Sequence, residues 1–424
     1  MVRIVGPFLS GPMRILIIGG DYRDGSQITG YVMALRNIVS GLSVTNEVLA
    51  LPFLPQRPQF ESDHRWGKVL VIAKTPSIGV VFRSLRDLGR SYDRVKCYLK
   101  MYDGMGFLEM LKARIKYSIA HSFNRSILEK ALKDFKPDIV HVHGLIIQVF
   151  PFYDLLLEKD IPFITTAHGL YSLDPNAFQD FDKDLEGDLL RAIDRKGYPI
   201  TVVSQGVKDS AIRLFSLKPD NVNVVHNGVD TTRFEVKVKA ELRRKHGLPL
   251  DKVILLSVGT VGRRKNQRAT LEALKEMGHE ERDRVMFLVV GGGETEELQA
   301  TAKEMGLEGN VRITGNVSDD ALVEMYLLAD LFVLTSTSEG FPLVYLEAMA
   351  AGLPIVTYAD IESVSELFDL DCMVLADRVA GGLGVTLVNA IERSWDHDLI
   401  RRMAMTWDWD KVCSQYEHIY EIVL

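Results

Sequence analysis

The sequence predicts an α/β protein of two lobes, each a parallel sheet with helices on both faces. Its 424 residues exceed what one hydrophobic core usually supports, so two domains of about 200 residues are expected. Apolar strand-like runs alternate with helical stretches along most of the chain, and strands that are apolar throughout belong to parallel sheets covered on both sides. The series runs once and then starts again.

Taken in order, "MRILIIGG" from Met13 reads as a buried first strand running into a glycine turn. Residues 1–12 then form a prefix outside the pattern, and Met13 is a candidate second start of translation. "VLALP", "KVLVIA", "PDIVHVHG", "PFITTAHG" and "PITVVSQ" complete the first set, giving a lobe over 13–228. In "NVVHNGVDTTRF" an Asn-Gly turn signal follows a short apolar run, a reasonable crossing point between lobes. "KVILLSVGT", "VMFLVVGGG", "VRITGNV", "DLFVLTS" and "LPIVTYAD" form the second set over 229–402, with a last helix in 403–424. Two such βα series suggest two Rossmann-like lobes, whose ligands bind beyond the carboxyl ends of the strands. His143, His168, the glycine turn after "RILII", "GTVGRRKN" and Glu339 all sit at such ends.

Composition narrows the function classes. With 25% charged and 47% hydrophobic residues the chain is ordinary globular protein, and a formal net charge of −7 argues against a nucleic-acid partner. Cys97, Cys372 and Cys413 are odd in number and widely spaced, which fits a reducing, cytoplasmic location and no disulfide framework or zinc site. No apolar run approaches the roughly 20 residues of a membrane span. Residues 83–136 hold 13 Lys or Arg against 6 Asp or Glu, a net of +7 that leaves −14 on the rest. "FLEMLKARIKYSIAHSFNRSILEKALKDF" within it reads as a helix with a basic face. That face is either solvated or a peripheral contact with an anionic membrane on its cytoplasmic side.

The most informative stretch is "STSEGFPLVYLEAMAAGLPIVT", Ser336 to Thr357. Pro342 suits the first position of a helix that Gly352 and Pro354 stop before the next strand. The first turn of such a helix offers unpaired N–H groups and a positive dipole end, which suit an anion. Donors would come from Leu343 and Val344 after Phe341, with Glu339 before them and Glu347 more than one turn in. Carboxylates so placed can accept hydrogen bonds from ligand hydroxyls. Arg263, Arg264 and Lys265 precede another helix, "QRATLEALKEM", and such cations suit a polyphosphate. No GxxxxGK[ST] follows a strand, "GGDYRDG" fails GxGxxG, and "GGGE" at 291–294 is explained by a tight turn, so a nicotinamide dehydrogenase is disfavoured. His141 and His143 lack third and fourth metal ligands and read as buried, satisfied histidines.

Glu339 to Glu347 is a Glu-x7-Glu arrangement, and "SEGFPLVYLEAMAAGLPIV" resembles the motif of retaining, nucleotide-sugar-dependent glycosyltransferases of the GT-B fold, the glycogen synthase and mannosyltransferase-like group. "ITTAHG", "VVHNGVDTTRF", "LLSVGTVGRRKNQRATLEAL", "VVGGG", "VRITGNVSDDALVEMYLLADLFVLTS" and "WDWDKVCSQYEHIYEIV" agree with it in order. The resemblance implies a deep cleft between the lobes and a final helix, with Trp409, Tyr416 and Tyr420, that returns to the N-terminal lobe. It further implies that Glu347 holds the ribose hydroxyls and Glu339 contacts the donor sugar. The N–H groups after Phe341, with Lys265, would receive the diphosphate. His168 would act at the donor sugar, and Gly30 would lie in a loop beside donor and acceptor. Many members carry Arg directly after the glycine where this chain has Thr260, so Arg263 or Arg264 has to supply that charge.

The expected activity is therefore retaining transfer of a sugar from a nucleoside-diphosphate sugar to a lipid-linked, polysaccharide or small-molecule acceptor, with no metal and no cofactor. Fixed cations and a helix dipole would stabilise the departing diphosphate. Two alternatives share the architecture: a nucleotide-sugar epimerase or hydrolase, and a non-catalytic nucleotide-sugar-binding protein.

Overall fold

The computed structural model describes residues 11–20, 30–52, 63–64, 67–69, 107–146, 148–173, 180–361 and 363–424. By backbone contact the chain divides into two compact units. Of the described residues, the first gathers those within Met1–Leu173, Ala177–Val225 and Asp410–Leu424, and the second those within His226–Trp409.

In the first unit the strands are β1 (Arg14–Ile18), β2 (Glu47–Leu51), β3 (Asp63–His64), β4 (Gly67–Val69), β5 (Ile139–His143), β6 (Phe163–Ala167), β7 (Ile200–Val202) and β8 (Val222–Val224). They form one sheet in the order β3-β4-β2-β1-β5-β6-β7-β8, parallel except where β3 meets β4. The β1 register, Ile15 opposite Val48 and Ile139, puts fully buried apolar residues at the centre. Helices cover the sheet, and Leu16, Ile18, Val140 and Val142 pack in one core with Leu128, Phe150, Phe152 and Leu155.

The final helix, Trp409–Val423, joins this same unit from Asp410 onward. Its Tyr420 hydroxyl lies 2.7 Å from His141 Nδ1, and its Glu417 accepts from Thr45 and Asn46 at 2.7 and 2.6 Å.

The second unit contains β9 (Val253–Val258), β10 (Val285–Val290), β11 (Val311–Ile313), β12 (Leu331–Leu334), β13 (Ile355–Tyr358) and β14 (Met373–Ala376). The order is β11-β10-β9-β12-β13-β14, all parallel. In each sheet the first strand has neighbours that follow it in opposite directions: β2 and β5 beside β1, β10 and β12 beside β9. Such switch points open a crevice at the strand ends, and both fall where the sequence places its polar residues.

Two local features differ from the sequence reading, and a third agrees with it. The helix after "EGFP" starts at Leu343, with Pro342 extended before it at φ −74° and ψ 117°; a one-residue difference at a helix end is common. β8 and β14 were not read as separate strands, because each is only three or four residues long and flanked by Asn or Asp, which favour turns. "FLEMLKARIKYSIAHSFNRSILEKALKDF" is one helix, Phe107–Phe135. The rest of the basic stretch, 83–106, the end of "KVLVIA" and the 21–29 part of the first glycine-rich turn lie outside the described residues. Among the described residues no helix is long and apolar enough to cross a membrane.

Candidate active site

At the switch point of the second unit, the loop after β9 and the loop after β12 lie side by side. The Thr335 hydroxyl donates to the carbonyls of Asn266 and Lys265 at 2.8 and 3.3 Å, and Thr337 N donates to the Arg264 carbonyl at 2.8 Å. These bonds bring basic and acidic groups together. Glu339 Oε1 lies 2.6 Å from Lys265 Nζ, 3.1 Å from Arg264 Nη1 and 2.6 Å from the Ser336 hydroxyl that donates to it. Both Glu339 and Lys265 are buried, at 8% and 9% exposure, whereas Arg263 and Arg264 are exposed.

A buried ion pair is stable only if each partner is compensated. Burial alone would raise the Glu339 pKa, but Lys265 and Arg264 outweigh it and hold the carboxyl below its ordinary value. Burial lowers the Lys265 ammonium, which Glu339 partly offsets.

Glycine is required around this pair. Gly259, at φ +141°, packs against the Lys265 stem, where a Cβ would meet Cε at 3.0 Å. Gly291, at φ +145°, packs its backbone on the Gly259 carbonyl, and Val261 N donates to the Gly292 carbonyl at 2.7 Å. The "GGGE" turn thus also buttresses the basic loop, a close approach only glycine allows.

The helix Leu343–Ala350 leaves the β12 loop with its amino end at this cluster. Its first turn holds the backbone N–H groups of Leu343 and Val344, which have no carbonyl one turn behind them. Phe341 is 4% exposed, and its carbonyl accepts from Asn227 Nδ2 at 2.9 Å. Its ring packs with His226 and Trp407, centroids 5.0 and 5.3 Å away, and His226 Nε2 pairs with Glu366 at 2.6 Å. The "VHNG" turn therefore props the start of the helix from below. Arg378 donates to the Ser336 carbonyl at 2.7 Å and stacks on Tyr358, fixing the same loop from the side.

One turn further in, Glu347 Oε2 accepts the Tyr326 hydroxyl at 2.7 Å. Burial raises the Glu347 pKa, with Tyr326 working against the shift. Tyr326 is fully buried between Phe332 and Phe234. Sequence reasoning missed Tyr326, Ser336, Asn227 and Arg378. A tyrosine on the apolar face of "ALVEMYLLAD" was the available signal for the first, but nothing in spacing pairs it with an acid on another helix.

The first unit gathers imidazoles at its own switch point. His143 ends β5 and His168 follows β6; His143 Nδ1 and His168 Nε2 are 2.9 Å apart. His141 lies in ring contact with His143, centroids 3.8 Å apart, and both its nitrogens are partnered, by Tyr420 and by Thr166 at 2.7 Å. Burial holds His141 and His143 well below the usual imidazole range and His168 down to about 4. All three are neutral at pH 7.

Tyr31, next to Gly30 at the start of the helix Gly30–Leu42, meets the His168 ring edge-on at 5.0 Å and donates to the His143 carbonyl at 3.2 Å. Glu186, also unforeseen, is fully buried and accepts from Tyr171 N, Ser172 N and the Ser172 hydroxyl at 2.9, 3.1 and 2.9 Å, which anchors the loop after His168. Among the described residues no group of three His, Cys, Asp or Glu could hold a metal ion.

Comparison with known proteins places these features in a class. The family model "Glycosyl transferases group 1" matches residues 238–392, and "Glycosyltransferase Family 4" matches 107–233. The chain belongs to the glycosyltransferases of the GT-B fold and, within them, to the family 4 type.

It is similar to the uncharacterised glycosyltransferase MJ1607 of Methanocaldococcus jannaschii, 24% identical over 317 residues, covering 68% of this chain and 76% of that one. It is also similar to D-inositol 3-phosphate glycosyltransferase 2 of Catenulispora acidiphila, 35% identical over 154 residues, covering 34% of this chain and 36% of that one. The chain thus spans between 36% and 76% of the length of these relatives. Among solved structures, Anabaena Alr3699/HepE in complex with UDP-glucose has the same fold, with TM-score 0.70, 16% identity and coverage of 96% of this chain and 98% of that one.

Proposed function

We propose that this glycosyltransferase moves a sugar from a nucleoside-diphosphate sugar to a hydroxyl of a lipid-linked, polysaccharide or small-molecule acceptor, with retention at the sugar carbon and without a metal ion. The observation that carries the reading is the amino end of the helix Leu343–Ala350. It has the Lys265–Glu339 pair on one side and Glu347 with Tyr326 on the other. Nucleotide sugars offer matching groups: a diphosphate for Lys265, Arg264 and the N–H groups of Leu343 and Val344, and ribose hydroxyls for the Glu347 carboxylate.

Arg264, already drawn to the loop by Glu339, supplies the cation that Thr260 does not, and exposed Arg263 adds long-range attraction. As the glycosidic bond breaks, charge builds on the leaving diphosphate, and cations already in place stabilise it without reorganisation. Glu339 orients Lys265 and is the acid assigned to a donor-sugar hydroxyl. His168 in the first unit is a neutral hydrogen-bonding group for a sugar hydroxyl, and Gly30 belongs to the segment beside it. The UDP-glucose complex of Alr3699/HepE supports the donor class. For the basic helix Phe107–Phe135, exposed Leu108, Leu111 and Ile115 beside exposed Lys112 support peripheral contact with an anionic membrane.

The deciding experiment is thermal stabilisation by a panel of nucleoside diphosphates and their sugar conjugates, in EDTA and then with magnesium. Ligand at about 100 times its Kd adds about 2.7 kcal/mol, so the true donor should stand apart in EDTA. No response to any nucleotide would remove the proposal. Conversion of the donor without an acceptor would reassign the site to an epimerase or hydrolase.

A further inference from the structure

Among the described residues, His143 carries a buried polar group that nothing above explains. It is fully buried, and its Nε2 has no hydrogen-bond partner among the described residues. Its other nitrogen, Nδ1, faces His168 Nε2 at 2.9 Å. Neighbouring His141 shows what a satisfied buried imidazole looks like, with one hydroxyl on each nitrogen.

Between two neutral imidazoles one nitrogen must donate and the other accept, so only two arrangements exist. In one, His168 Nε2–H donates to His143 Nδ1. His143 must then carry its proton on Nε2, a buried donor with no acceptor. In the other, His143 Nδ1–H donates to His168 Nε2, and the unpartnered His143 Nε2 is a bare lone pair. An orphaned buried donor loses a full hydrogen bond to water, and orphaned N–H groups are rarer than under-satisfied acceptors. The second arrangement wins.

It has a consequence at the outer edge of the pair. With Nε2 used as acceptor, His168 bears its proton on Nδ1, which makes no hydrogen bond among the described residues and is not sealed from solvent. The Tyr31 ring edge limits rotation of His168, and the Tyr31 hydroxyl binds the His143 carbonyl and receives Gly20 N at 3.1 Å, so the two histidines are braced together.

We propose that His143 is a positioning residue: by donating from Nδ1 it locks His168 as the Nδ1–H tautomer and so presents a donor, not an acceptor, to the ligand hydroxyl. The tautomer stands on geometry alone, whereas its use in catalysis rests on the function proposed above. The identity of the free nitrogen is fixed by what the other one binds.

Two measurements separate these parts. Nitrogen-15 spectra of histidine-labelled protein without ligand, with His168 identified by loss of its signals in H168N, should show Nδ1 protonated and Nε2 not. In H143L, which removes the donor, His168 should revert towards the Nε2–H form. In H143N, whose side-chain N–H₂ falls near the position of Nδ1, the wild-type pattern should persist. In the same variants H143L should lower kcat about tenfold, the worth of one hydrogen bond, with donor KM changed less than about threefold, and H143N should recover most of the loss.

A wild-type spectrum with His168 protonated on Nε2, or an unchanged tautomer in H143L, overturns the proposal. The wild-type spectrum decides even if H143L does not fold. A reverted tautomer with unchanged kcat overturns the catalytic use of His168 and leaves nucleotide binding by Glu347 and Lys265 standing.

Discussion

The two switch points solve the same topological problem with opposite chemistry. In the second unit, ions face ions: Lys265 and Arg264 against Glu339, two cations on one carboxylate. In the first unit burial has stripped the charge from His141, His143 and His168, and direction replaces charge. A diphosphate needs compensation of charge, whereas a sugar hydroxyl needs a partner of defined donor or acceptor sense. The contrast teaches that similar crevices acquire different ligand classes from the protonation states their surroundings impose.

The comparison breaks first at Lys265. Lys265→Ala leaves Glu339 buried without its nearest cation, and removing one partner of a buried pair costs about 3 kcal/mol. Urea unfolding should show that loss, and nucleotide binding should disappear. K265M/E339Q, with neither charge, should recover the stability but not the binding. Retained donor affinity in K265A would refute the charge-compensation side.

Glu347→Ala ranks next. Losing the acceptor of ribose hydroxyls should weaken donor binding by about 2 kcal/mol, roughly thirtyfold, in calorimetry. Unchanged affinity would remove the ribose role. His168→Ala should then lower kcat about tenfold while nucleoside diphosphate affinity stays within about twofold, because a directional neutral group contributes one hydrogen bond. An equal loss in both would place His168 on the nucleotide instead.

The smallest effect is in pH. The Glu347 pKa is raised by burial, so its carboxylate, and with it donor affinity, should begin to fail above the ordinary glutamate range as pH drops. The same sign makes ionised Glu347 a cost to folding: E347Q should stabilise at neutral pH, and the gain should vanish in acid, where both states bind the proton. His168, held down to about 4, should contribute no change between pH 5 and 8. A pH-independent donor affinity over the acid range would contradict the assignment of Glu347.

Much of this was legible in the sequence for a definite reason. Parallel strands are apolar throughout and end abruptly, so Glu339, Lys265, His143 and His168 could be placed at strand ends by counting along the chain. What each one touches could not, because Tyr326 and Glu347 sit on different helices and Glu186 reaches the loop after His168 from a third. "GGGE" read as a mere turn because its second task, packing on Gly259, depends on a partner some thirty residues earlier. His143 was expected to be a satisfied core histidine; its open Nε2 shows only once the neighbours are in place.

The last helix carries a consequence for the order of synthesis. Tyr416 and Tyr420 complete the buried hydroxyl and imidazole network of β5, β6 and β7, through Thr166 at 3.3 Å and His141 at 2.7 Å. The unit translated first is therefore the one finished last. The second unit has all its strands once Ala376 has been made. Until Tyr416 and Tyr420 follow, the first unit lacks the hydroxyls that partner Thr166 and His141.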